Sequence, residues 1–272
     1  MITQNLKTKF KGLNNTRDLG GIRTKDNLVI KKGLLFRSGA LYKATDNDLD
    51  ILKDYGIEKV YDFRAPDERE AKPDKIIGDE ENIYLPIVED LTMGLTRDEK
   101  SDKDALRMMF SEKAENPDWA IGYMKKIYSL FVTSDFAISQ YGKFLNGVLE
   151  AKGGVLWHCT AGKDRAGFAT ILVLETLGVD YDVIKADYLK TNEYLKEENE
   201  RDLHAMGDAV KMPRVRDSIL ALFSAREDYI DTVYTLAEEN YGSMLNFIIN
   251  KLGFGEDKIQ MMREKYLVSE EI

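Results

Sequence analysis

The sequence predicts an α/β fold: a central, mainly parallel sheet flanked by helices, with a helical insertion and a helical C-terminal half. Three observations predict it. Short β-branched runs alternate with helical stretches in the N-terminal part, the order that lays strands side by side in parallel. From Tyr181 onward the pattern is nearly all helical. The chain has 272 residues, 43% hydrophobic and 32% charged, enough to bury a large core in one domain spanning 1–272.

The elements follow in order. Leu28–Ile30 and Leu34–Arg37 read as short strands around the turn Lys31-Lys32-Gly33. Thr45-Asp46-Asn47-Asp48 reads as a helix N-cap with an acidic first turn, and that helix should run to about Tyr55 and stop at Gly56. Ile57–Phe63 and Ile83–Ile87 are further strands. Between Glu89 and Asp118 acidic residues outnumber basic ones and β-branched residues are few. Helices are expected at Lys103–Ala114 and Trp119–Phe131, and residues 89–131 read as an insertion that could act as a lid. Phe136–Glu150 is an amphipathic helix, with Tyr141, Phe144, Leu145, Val148 and Leu149 on one face. Gly153-Gly154 breaks it. Val155-Leu156-Trp157 is a buried strand, and Arg165–Leu177 a helix stopped by Gly178.

Composition excludes several function classes. There are 39 Lys+Arg against 48 Asp+Glu, a net charge of −9, which argues against nucleic acid as a partner. No apolar run approaches the roughly 18 residues of a membrane span, so no stable membrane insertion is expected. The first ten residues, MITQNLKTKF, lack the apolar core of a secretory leader. A cytoplasmic location is expected, with signal-independent export left open. One cysteine allows no internal disulfide. No cofactor or metal is expected, since two histidines and one cysteine do not make a zinc cluster alone. The oligomeric state is not legible.

The informative segment is Trp157-His158-Cys159-Thr160-Ala161-Gly162-Lys163-Asp164-Arg165-Ala166-Gly167. A buried strand enters a short loop, and the loop opens a helix. Such a loop can aim successive backbone N–H groups at one centre, where the helix dipole adds positive potential. Thr160, Ala161, Gly162, Lys163 and Asp164 would supply these amides. Arg165 can fork two N–H groups onto phosphate oxygens. Cys159 stands at the base of the same nest, and a positive surrounding favours the reactive thiolate. The chemistry that fits is attack of sulfur on phosphorus, loss of the ester oxygen, and hydrolysis of a phosphocysteine.

This loop resembles the signature of cysteine-dependent tyrosine phosphatases, and more narrowly the bacterial tyrosine-protein phosphatase family with lipid phosphatase activity. Asn15-Thr16-Arg17-Asp18-Leu19-Gly20-Gly21, Phe36-Arg37-Ser38-Gly39-Ala40-Leu41, Asp62-Phe63-Arg64 with Glu68 and Glu70, and Tyr241-Gly242-Ser243-Met244 are similar to that family's other motifs. The resemblance implies a phosphatase fold and, as partner, a phosphotyrosine protein or a phosphoinositide substrate, with phosphoserine and phosphothreonine as further possibilities. It implies Cys159 as nucleophile, Arg165 as phosphate clamp and Asp164 as general acid. Asp62, at a strand's C-terminal end, is the alternative acid, and Asp90, Asp98 and Asp102 form a third option. Lys163 would add attraction for highly anionic substrates or else face solvent. His158 would orient the loop. Arg17 and Asp18 would support it, and Arg17 and Arg37 would pair with aspartates. Ala166 departs from the family, where a hydroxyl is frequent, and this should slow breakdown of the phosphocysteine. Two other classes compete: a catalytically weak phosphate-binding module of the same fold, and a rhodanese-type sulfurtransferase.

Overall fold

The computed structural model describes residues 10–88 and 115–269. Its main sheet has five strands: β1 (Arg17–Asp18), β3 (Leu35–Ser38), β4 (Ile57–Asp62), β5 (Glu81–Tyr84) and β6 (Gly154–His158). The order is β1-β3-β6-β4-β5. β3, β6, β4 and β5 are mutually parallel, and β1 pairs antiparallel with β3. The expected mainly parallel α/β sheet is therefore present.

Side chains alternate across this sheet, as the strand period of two demands. Phe36, Val60 and Leu156 face helix α1 (Asp46–Asp54) and pack with Leu41 and Leu52. Leu35, Tyr61, Val155 and Trp157 face the larger core, built on α4 (Asp135–Glu150) and α5 (Arg165–Thr176). Helix α1 begins at the expected N-cap: Thr45 accepts from the Asp48 amide, and the Asp48 carboxylate accepts from the Thr45 amide. Helix α2 (Pro66–Ala71) follows β4. Strand β5 starts and ends earlier than the expected Ile83–Ile87, although the Leu85 and Ile87 amides beyond its end still donate to the Asp62 and Phe63 carbonyls.

Helix α3 (Pro117–Thr133) includes the predicted Trp119–Phe131. It buries Ala120, Met124, Ile127, Tyr128, Phe131 and Val132, one apolar stripe at helical spacing. That stripe makes this stretch part of the core. The rest of the range read as a lid, residues 89–114, lies outside the described residues, as do the helix expected at Lys103–Ala114 and the candidate acids Asp90, Asp98 and Asp102.

The C-terminal half is helical as expected: α6 (Tyr181–Tyr194), α7 (Lys196–Ala205), α8 (Pro213–Phe223), α9 (Glu227–Tyr241) and α10 (Glu256–Tyr266). It departs from the expectation at its end. Leu267–Ser269 forms strand β7, which pairs antiparallel with β2 (Leu28–Ile30) in a separate two-stranded sheet. Leu28–Ile30 and β3 thus flank one turn yet belong to different sheets. No helix among the described residues is long and apolar enough to cross a membrane.

Candidate active site

The site is built where β6 ends. All five residues of β6 are buried, and so is nearly all of α5, which fixes both ends of the connecting loop. Its carbonyls are tied outward. The Phe63 amide donates to the His158 carbonyl at 3.0 Å, the Ala40 amide to Thr160 at 3.0 Å, and Asn15 Nδ2 to Ala161 at 3.0 Å. Arg37 Nη2 donates to the Gly162 carbonyl at 2.7 Å. By contrast, the N–H groups of Thr160, Ala161, Gly162 and Asp164 donate to no acceptor among the described residues. A buried N–H without an acceptor is costly, so a run of them marks a surface made for an anion. Gly162 has φ +67°, and a Cβ there would lie 2.4 Å from the Ser38 carbonyl oxygen. Only glycine fits this turn against β3.

Cys159 is 1% exposed and Arg165 0%. Glu68, from α2, accepts from Arg165 Nη1 at 2.6 Å and from Nη2 at 3.0 Å, and also accepts from the Thr160 hydroxyl. This two-point grip fixes the guanidinium plane. Burial works against both charges. The Arg165 charge nevertheless holds Glu68 below its ordinary value, and Glu68 raises Arg165 above its own. The Cys159 sulfur lies within the electrostatic reach of Arg165 and Arg37. Thr160 reaches a cleft bordered by Asn14, Gly39, Tyr42, Lys43 and Glu198.

Asp164 caps α5 from inside the protein, at 2% exposure. Its Oδ1 accepts from the Tyr128 hydroxyl at 2.7 Å, and Lys163 Nζ lies 3.4 Å from the same oxygen. The Lys163 ammonium also donates to the carbonyls of Leu222, in the last turn of α8, and Ser224, just past its end. Lys163 is 1% exposed, so the solvent-facing alternative does not hold. The carbonyl end of a helix is a natural seat for a cation.

Asp62 is placed elsewhere. Arg64 donates to it from Nε at 2.9 Å and from Nη2 at 2.8 Å. Burial would raise this carboxyl, but His158 and Arg64 prevail and hold it at about 2. Asp62, Asp74 and His158 cluster closely enough to ligate a metal, but Arg64 already places a cation between the two carboxylates. His158 Nδ1 lies 3.3 Å from the Cys159 carbonyl oxygen, and Nε2 lies 3.3 Å from Asp74 Oδ2 without hydrogen-bonding to it. Arg17 and Arg37 do pair with an aspartate, the same one: Asp187 of α6, at 2.8 Å and 3.1 Å. Asp18 does not support the loop. It accepts from the amides of Gly20 and Gly33 and closes that turn. Ala166 is buried and brings no hydroxyl to the site.

Glu68, Tyr128, Tyr188 and Asp187 carry the site's contacts without having been assigned a role from sequence. Glu68 stood in a quoted motif. The other three sit on helices whose inward-facing polar residues had no local signal.

A parallel sheet that ends in a cysteine–arginine loop at a helix N-terminus defines a phosphate-handling enzyme. Residues 8–268 match the tyrosine phosphatase family, and the chain belongs to that family. It is 30% identical, over 95% of its length and 87% of the relative's, to a Cupriavidus necator protein provisionally named a tyrosine-protein phosphatase. It is 28% identical to the triple specificity protein phosphatase PtpB of Mycobacterium tuberculosis, covering 94% of this chain and 97% of that one. A tyrosine-protein phosphatase of Nostoc commune is 25% identical over 84% of this chain and 72% of its own.

Proposed function

We propose that this tyrosine phosphatase hydrolyses phosphomonoesters through a phosphocysteine on Cys159, with phosphotyrosine as its principal substrate. The observation that carries this reading is the loop's division of labour: carbonyls tied outward to Phe63, Ala40, Asn15 and Arg37, and the amides of Thr160, Ala161, Gly162 and Asp164 left without an acceptor among the described residues. The Cys159 thiolate attacks phosphorus while the phosphorus–oxygen ester bond breaks. Asp164 delivers its proton to the departing oxygen. Water then attacks phosphorus, Asp164 takes the water proton, and the thiolate leaves with phosphate released. Arg165, fixed by Glu68, and the loop amides stabilise the equatorial oxygens in both steps. Asp62 suits the acid role poorly, because Arg64 engages both of its oxygens and favours the ionised form. Lys163 serves to anchor the loop to the end of α8.

Family membership sets the sulfur-transfer reading aside. The weak binding module is separated by turnover. The wild-type protein should release phosphate from a phosphotyrosine peptide in the presence of a chelator. Cys159→Ser should lose this by at least about a thousandfold while still binding phosphate. Unchanged turnover in Cys159→Ser would overturn the mechanism. The mycobacterial relative's name supports assaying phosphoserine, phosphothreonine and phosphoinositide substrates beside phosphotyrosine.

A further inference from the structure

Asp164 lies within electrostatic reach of tyrosines from four helices. Tyr128 comes from α3, Tyr141 from α4, Tyr188 from α6 and Tyr229 from α9, and each feels its charge. The cations that face it are Lys163 and Arg165. Two of the four hydroxyls are committed to other acceptors: Tyr141 donates to the Arg165 carbonyl at 3.1 Å, and Tyr229 to the Ala221 carbonyl at 2.8 Å. The other two form a line. Tyr128 donates to Asp164 Oδ1 at 2.7 Å, and the Tyr128 and Tyr188 oxygens lie 2.7 Å apart. Because Tyr128 spends its only proton on Asp164, it must accept from Tyr188. Tyr188 itself is buried, on α6.

The chain therefore has one direction: Tyr188 to Tyr128, Tyr128 to Asp164. Each link polarises the next, and the low dielectric of the core strengthens all of them. The Tyr128 hydroxyl donates to Oδ1, and the Lys163 ammonium lies 3.4 Å from the same oxygen. A proton on Oδ1 would face the donating Tyr128 hydroxyl and a nearby ammonium, so the transferable proton belongs on Oδ2.

From this geometry we propose that Tyr128, backed by Tyr188, is the positioning residue of the general acid: it selects the oxygen that carries the proton and sets the pH range over which the proton is held. The proposal rests on the assignment of Asp164 as acid. A hydrogen bond to an ionised carboxylate favours that ionised form. Removing the Tyr128 hydroxyl should therefore make Asp164 hold its proton to higher pH, and should leave the acid less well aimed.

The test uses kcat/KM–pH profiles, which report phosphocysteine formation, on two substrates. p-Nitrophenyl phosphate has a leaving group that needs little protonation, whereas phenyl phosphate needs it. Tyr128→Phe should move the alkaline limb on phenyl phosphate upward by about one pH unit. It should lower the plateau on phenyl phosphate about tenfold and the plateau on p-nitrophenyl phosphate much less. Tyr188→Phe should shift the limb the same way by less, and the double variant should match Tyr128→Phe, since Tyr188 acts through Tyr128. Inhibition by inorganic phosphate, unchanged in all three, verifies an intact loop. Asp164→Asn is run alongside. If it spares phenyl phosphate, Asp164 is not the acid, and both the assignment and this proposal fall. If it selectively abolishes phenyl phosphate turnover but Tyr128→Phe leaves the alkaline limb in place, the proposal alone falls. Equal losses on both substrates in Tyr128→Phe would likewise overturn it.

Discussion

At the scale of single residues, the loop is an arrangement of contacts that tolerate little change. Gly162 combines a left-handed φ of +67° with a backbone carbonyl where a side chain would go, 2.4 Å from the Cβ position. Gly162→Ala should cost about 2–3 kcal/mol in stability, combining backbone strain with displacement of β3. It should also lower kcat/KM by more than a hundredfold on any phosphomonoester. Denaturant midpoints and steady-state rates check both. A variant as active as the wild type would show that the loop can be held without this turn. The pair Cys159 and Arg165 was legible in the sequence because both lie in one contiguous segment. Glu68 was not assigned, since its partner Arg165 is 97 positions away. Nor was Tyr128, 36 positions from Asp164 and set within an ordinary apolar helix stripe. Polar contacts across such separations leave no spacing to read.

At the scale of elements, the loop's position depends on helices that never touch the reacting atoms. The end of α8 receives the Lys163 ammonium through the Leu222 and Ser224 carbonyls. A lysine so placed fits a tether, where the sequence left open either attraction of highly anionic substrates or a solvent-facing side chain. Lys163→Met should therefore lower kcat/KM by a similar factor, about tenfold, on phenyl phosphate and on an inositol polyphosphate. A loss confined to the inositol polyphosphate would restore the attraction role. Most elements were legible: α1 with its capping residues, α4 from its apolar face, and β6 from its short apolar run between glycines and loop. Strand β7 was not. Its three residues follow a helix directly and gain their ladder only from β2, more than two hundred residues earlier.

At the scale of the whole molecule, the N-terminal motif, β3, the loop and α6 meet in one buried charge cluster. Burial would raise Asp187, but the guanidiniums of Arg17 and Arg37 prevail and hold it at about 2, against an ordinary 3.8. Burial and the neighbouring Arg17 pull Arg37 down to about 10, where it is still a cation at neutral pH. A depressed carboxyl stabilises the fold above its unfolded value and loses that contribution as pH falls through its folded value. Asp187 should thus contribute about 2 kcal/mol that disappears between about pH 4 and pH 2. Asp187→Asn should destabilise the protein at pH 7 by about 3 kcal/mol or more, because two buried guanidiniums lose their counter-ion. Its stability should also fall less steeply in acid than the wild type's. Urea midpoints across pH 2–7 check this, and parallel curves for the two proteins would contradict it.

The outward tying of the loop carbonyls has a consequence for any attempt to move this chemistry elsewhere. A peptide or chimaera carrying only Gly154–Thr176 would contain the sulfur and the guanidinium, yet lack Phe63, Ala40, Asn15 and Arg37, the groups that turn each peptide unit the right way round. Its amides would be free to rotate toward water. Grafting this short segment onto a foreign scaffold should therefore yield an inert thiol, because the reactive geometry belongs to the assembled domain.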